Sequence, residues 1–129
     1  MTRINVVPVE ELHPKHLVAE YREIVRVFAL VRKRTAMIDY DLNDIPSEYV
    51  LGGGHVKFFF DKLQFILNRY KALTAEMIRR GFNANPISEQ LLTDGIDSVF
   101  FNDYIPTNKA LELNRERIKL RWPKEKKNV

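Results

Sequence analysis

Four residues of the first third could act on one ligand. On a helix over residues 14–35, steps of 100° bring His16, Arg22, Glu23 and Arg26 to one side, with Lys33 further along the same stripe. One carboxylate is bracketed there by two guanidinium groups, with an imidazole about two turns away. The planar fork of arginine binds two oxygens at once, so the group suits phosphate. An ordinary solvated helix face has the same composition, since Glu23 and Arg26 are an i,i+3 ion pair and Arg22 lies four residues before Arg26. Residue types alone do not choose between these accounts.

Other motifs say less. Gly52-Gly53-Gly54-His55 is short of the Gly-Lys-Ser/Thr that completes a phosphate loop, so a tight turn is expected there. His55 has no partner at metal-ligand spacing, and Asp94, Asp97 and Asp103 do not make a calcium loop, so neither a metal nor a cofactor is expected. Trp122 before Pro123 reads equally as a packing anchor or a base-stacking ring.

The elements that must position these groups are helical. A first helix is predicted from Pro14 to about Thr35, with Leu17, Val18, Tyr21, Ile24, Val25, Phe28 and Val31 as its core stripe. Asp39 to His55 reads as a loop rich in turn formers. A second helix starts near Phe58 and stops at Gly81; Phe59, Leu63, Ile66, Tyr70, Leu73 and Met77 form its buried stripe. The stretch 82–106 is irregular, with one helical turn at SEQLL. A third helix, capped by Thr107, runs to about Arg121, before Pro123. The expected fold is all-α: one domain over 1–129, with three main helices and long irregular loops shaped for a partner.

Composition fits a soluble globular chain, at 45% hydrophobic and 29% charged residues. There is no cysteine, hence neither a disulfide nor a cysteine-ligated zinc. No apolar run matches a transmembrane helix or a signal peptide, so an intracellular protein with no membrane role is expected. The net charge is +4, and its source is concentrated: RERIKLRWPKEKK (115–127) holds seven basic residues against Glu116 and Glu125. A basic segment over 115–129 fits a polyanion such as nucleic acid, or simply a solvated tail.

Several blocks together resemble the pyrimidine-dimer DNA glycosylase/AP lyase family. They are MTRIN at 1–5, HLVAEYRE at 16–23, RVF at 26–28, VRK at 31–33, LGGGHVKFFFDKL at 51–63, RRGFN at 79–83 and DYIP at 103–106. The resemblance covers nearly the whole chain and implies a compact three-helix bundle. It implies removal of Met1 and a nucleophile at the α-amino group of Thr2, with Glu23 as the catalytic carboxylate. It places substrate-binding roles on Arg3, His16, Arg22 and Arg26, and the DNA-binding set is extended here to Lys33, Arg117 and Arg121. The implied partner is double-stranded DNA containing pyrimidine dimers or abasic sites, bound by a monomer. The implied location is DNA-associated, in a bacterial cytoplasm or a eukaryotic nucleus if the source is viral.

The implied chemistry accounts for the residue types. An α-amine has a reference pKa of about 7.7–8.0 against about 10.4 for lysine, so a useful fraction is neutral at pH 7. Its attack on C1′ expels the base and leaves an imine, and β-elimination then breaks the strand on the 3′ side. A carboxylate near C1′ stabilises the positive charge on the sugar. Two departures from the phage prototype stand out. Pro14-Lys15 replaces Asp-Gln, and the ending RWPKEKKNV replaces an aromatic cluster that takes part in dimer recognition, which bears on lesion range. A catalytically silent damaged-DNA-binding module, or a helical interaction domain with an acidic partner, would use the same scaffold without the reaction.

Overall fold

Pro14 opens the first helix, α1 (Pro14–Glu23), where its fixed φ suits the first turn, and the Lys15 N–H donates to His13 Nδ1 at 3.1 Å as the cap. The computed structural model describes residues 2–35 and 44–124. Met1, the 39–43 part of the predicted loop and the last residues of the basic segment, from Glu125 on, lie outside the described residues.

The path predicted for one helix over 14–35 is taken by two, α1 and α2 (Arg26–Thr35), parted by a turn at Ile24 and Val25. There the Val27 N–H donates to the Ile24 carbonyl, three residues back, at 3.2 Å. Two adjoining β-branched residues sit at this tightened turn. The face of the helix rotates with it. Val27 is fully buried where the spacing predicts Val25, which is half-buried.

Phe58, Phe59 and Phe60 are all buried, and three successive residues of one α-helix cannot share a face, because each step turns 100°. They occupy a 3-10 turn (Lys57–Phe59) and its exit instead, so α3 (Leu63–Arg79) starts later than the predicted Phe58. The predicted stripe Leu63, Ile66, Tyr70, Leu73 and Met77 is buried throughout. Gly81 ends α3 with φ +84: its N–H donates to the Ile78 carbonyl, and the Phe82 N–H reaches back to Met77 at 2.9 Å.

The turn at SEQLL is α4 (Glu89–Thr93), capped by Ser88, whose side chain accepts the Leu91 N–H. Thr107 caps α5 (Asn108–Leu120) by accepting the Ala110 N–H at 3.1 Å. Among the described residues there are thus four helices of ten or more residues and one short one. α1 lies against α3, and Leu17, Ile24, Ile66 and Leu73 meet there with no exposed surface. Beside them an aromatic group, Tyr49, Phe58, Phe59, Phe65 and Tyr104, packs mostly edge to face. Among the described residues no helix is long and apolar enough to cross a membrane.

Candidate active site

Residues 2–7 belong to no helix or strand, and Thr2, Ile4, Val6 and Val7 are all buried. Backbone buried in this way needs partners for each N–H and C=O, and no strand lies beside it among the described residues. Side chains supply them. The Ile4 N–H donates to His55 Nε2 at 2.9 Å, and the Tyr49 hydroxyl donates to the Ile4 carbonyl at 3.3 Å. The N–H groups of Val6 and Val7 both donate to Asn114 Oδ1, at 2.6 and 3.1 Å. The Val7 carbonyl accepts from Arg69, whose guanidinium also grips Glu20 through Nε (2.8 Å) and Nη2 (3.2 Å). Asn5 closes the circuit by donating to Glu20 Oε1 at 2.7 Å.

The triple glycine makes one of these clamps possible. Gly52 and Gly54 have φ of 75° and 85°, which other residues rarely adopt, and the His55 N–H donates to the Gly52 carbonyl at 3.1 Å. The turn sends His55 inward, where it is 1% exposed. Since the Ile4 N–H points at Nε2, that nitrogen is an acceptor and the ring proton sits on Nδ1, donating to the Val50 carbonyl at 2.8 Å. Burial pushes the His55 pKa down, and the charges of Arg117 and Arg3 act the same way against the bond to Val50. A neutral ring is the form the clamp needs.

The clamped segment forms one wall of a cleft of about 240 Å³. Glu23, at the end of α1, accepts the Arg3 N–H at Oε2 (3.3 Å), on the residue next to Thr2. Arg3, Arg117 and Arg121 line the cleft as well, and none of the three forms an ion pair among the described residues. Arg117 has its pKa lowered, first by burial and then by the charges of Arg3 and Arg121. Guanidinium groups that crowd one another and lack carboxylate partners form a ready site for phosphate. His16 lines the same cleft. Its Nε2 lies 3.2 Å from the Arg121 carbonyl, which only accepts, so this nitrogen bears the proton. Burial lowers the His16 pKa. Trp122, about half exposed, sets its ring edge to face with His13 and His16 at 5.0 and 6.1 Å.

Of the residues singled out in the sequence, Arg3, His16, Glu23, Arg117 and Arg121 come together at the cleft, and Thr2 is buried beside it. Arg22, Arg26 and Lys33 are exposed on α1 and α2 and do not line it. Glu20, Asn5, Asn114, His55 and Arg69 hold the site together, and sequence reasoning passes over their roles. Glu20 shares the HLVAEYRE block with Glu23, yet nothing local distinguishes a carboxylate bound to a buried arginine from one facing solvent. Asn114 gives a faint signal, since asparagine is disfavoured inside helices. Among the described residues no cluster of three or more His, Cys, Asp or Glu could hold a metal ion.

A family model described as pyrimidine dimer DNA glycosylase matches residues 1–90, which include the N-terminal segment, α1, α2, α3 and the His55 turn. The helix α5, with Asn114 and Arg117, and its C-cap Arg121 lie beyond the matched residues. With most of its length matched, and with that part holding the N-terminal segment and Glu23 at one cleft, the chain belongs to the pyrimidine dimer DNA glycosylase family.

Proposed function

We propose that this protein is a DNA glycosylase and AP lyase that acts at pyrimidine dimers through the α-amine of Thr2, exposed by removal of Met1. The observation that supports it best is the Glu23 carboxylate on the Arg3 N–H, next to Thr2 and inside a cleft with three arginines that form no ion pair among the described residues. Arg3, Arg117 and Arg121 take phosphates beside the lesion, while exposed Arg22, Arg26 and Lys33 extend the basic surface along the backbone. Extrusion of a base opposite the dimer brings C1′ of the damaged nucleotide within reach.

The neutral amine attacks C1′, a C–N bond forms and the base leaves with its bonding pair. Loss of the amine proton and opening of the sugar give a protonated imine. That cation acidifies C2′–H; removal of the proton sends electrons toward C3′, and the 3′ phosphate departs. Glu23 stabilises the positive sugar in the first stage and moves protons in the later ones. Hydrolysis frees the terminus. With Met1 retained, the nitrogen of Thr2 is an amide and the sequence of steps cannot start.

Borohydride trapping tests this reading. Protein with Thr2 as its first residue, verified by intact mass, should form a covalent adduct with a duplex holding a dimer or an abasic site. Acetylation of the terminus should abolish it. Tight binding with neither adduct nor strand break would refute the lyase and favour the catalytically silent module.

A further inference from the structure

α5 and its C-cap carry one set of residues at three- and four-residue spacing: Ala110, Asn114 and Arg117 on the helix and Arg121 at the cap. Its first half is buried, with Ala110 2% and Asn114 0% exposed, and its second half lines the cleft. Asn114 sits where the two halves meet. Its Oδ1 accepts both the Val6 and Val7 N–H groups, and its Nδ2 donates to Asn5 Oδ1 at 2.7 Å. Two backbone donors facing one atom fix that atom as the oxygen. Asn5 then donates to Glu20 on α1, so a single node joins α5, the N-terminal segment and α1.

This node has a mechanical consequence. Arg117 lies three residues beyond Asn114, about 4.5 Å along a stiff helix, and Arg121 is the residue that caps the C-terminal end of that helix. Whatever seats those two guanidinium groups on DNA also moves Asn114. Asn114 in turn holds the N-terminal segment four residues behind Thr2. A leucine there would fill the space equally well but would leave two buried N–H groups without acceptors.

We propose that Asn114 is a positioning residue for strand incision. It sets the reach of the N-terminal segment over Glu23 and passes to it the docking of Arg117 and the C-cap Arg121 on the DNA backbone. The inference rests on the amine reading above. Slack of about 1 Å in a reacting group can cost on the order of 100-fold in rate. Asparagine at this point removes that slack from the terminus.

The test is single-turnover cleavage of an abasic duplex at saturating DNA, with the dissociation constant measured separately by fluorescence anisotropy and the amine adduct trapped in parallel. Asn114→Ala should lower the saturated rate constant and the trapping rate by roughly 30-fold, within the loss expected for a misplaced nucleophile. Its dissociation constant should stay near that of the wild type. A merely structural role would lower the reaction amplitude in step with the unfolded fraction and leave the rate constant alone. That outcome, or a loss confined to binding, overturns the proposal. If Asn114→Ala does not fold, Asn114→Ser, which keeps a shorter acceptor, should show a smaller loss in the same constant; a wild-type constant overturns the proposal. Arg117→Ala should slow the saturated step in the wild type and have little further effect in Asn114→Ala, and fully additive losses refute the transmission. A wild-type protein that forms no adduct overturns the amine reading and this inference with it. A trapping wild type with an equally fast Asn114→Ala overturns this inference alone.

Discussion

Mild acid should loosen the N-terminal segment well before it unfolds the rest of the chain through its carboxylates. His55 must be neutral to accept the Ile4 N–H, and burial holds its folded-state pKa below the ordinary 6.5. Below pH 6.5 the unfolded chain therefore takes up a proton that the folded one refuses. Stability falls as pH drops from 6.5 toward the folded-state value, by up to about 1.4 kcal/mol per pH unit for one such histidine. His16 is lowered in the same direction but lies nearer solvent, so its share is smaller. Glu11 and Glu76, lowered by hydrogen bonds from Arg115 and Arg79, lose their contribution only as pH drops from 4.5 downward, so the interval from pH 7.5 to 5 belongs to the imidazoles. Urea unfolding across that interval measures the slope. His55→Gln should cost about 1–3 kcal/mol at pH 7.5, the usual price of a disturbed buried donor, and should flatten the slope by close to one proton. An unchanged slope in His55→Gln would refute the neutral-clamp argument.

Four further outcomes follow from the site. Glu23→Gln should keep DNA binding and nearly abolish base release, measured by alkali-labile breaks in dimer-containing DNA; a fully active variant removes the carboxylate from the reaction. Arg26→Ala should weaken binding, with activity partly recovering at low ionic strength, and Arg117→Ala should reduce the slope of log K against log salt by about 0.9 if it holds one phosphate. A salt slope identical to the wild type would take Arg117 off the backbone. Glu20→Ala strands the buried Arg69 guanidinium and should destabilise the fold by about 3–5 kcal/mol in urea, with an unchanged m-value.

Periodic and capping signals were legible because they are local. The α3 stripe from Leu63 to Met77 is buried as its spacing requires, and Thr107 and Gly81 act at the helix ends where their chemistry puts them. The interruption at Ile24–Val25 was not legible, because a 3-10 bond there changes the periodicity from which a face is counted. Half of the site was similarly hidden. Arg3 and Glu23 meet across 20 residues, and Asn114 reaches Val6 across 108, so their types become meaningful only once the fold joins them. The N-terminal segment has no sheet partner among the described residues, and its clamps are scattered over α1, α3, α5 and the glycine turn. The resemblance supplied what pattern could not, a reason to look at Thr2.

If the proposed amine chemistry holds, the terminus poses a physical problem that these clamps answer. Chain ends fray unless tied down, and fixing the six residues from Thr2 to Val7 costs on the order of 10 kcal/mol in conformational entropy. Burial of Ile4, Val6 and Val7, with hydrogen bonds to His55, Tyr49, Asn114 and Arg69, offsets an amount of the same order. The balance is close enough that losing the His55 or the Asn114 clamp moves the terminus without dissolving the helices, because the Arg69–Glu20 pair still joins α1 to α3. Clamp variants should therefore separate into a recognisable class: folded, able to bind DNA, and slow in the step that needs the amine. A variant that lost its fold and its rate in equal measure would show instead that the segment is an integral part of the core.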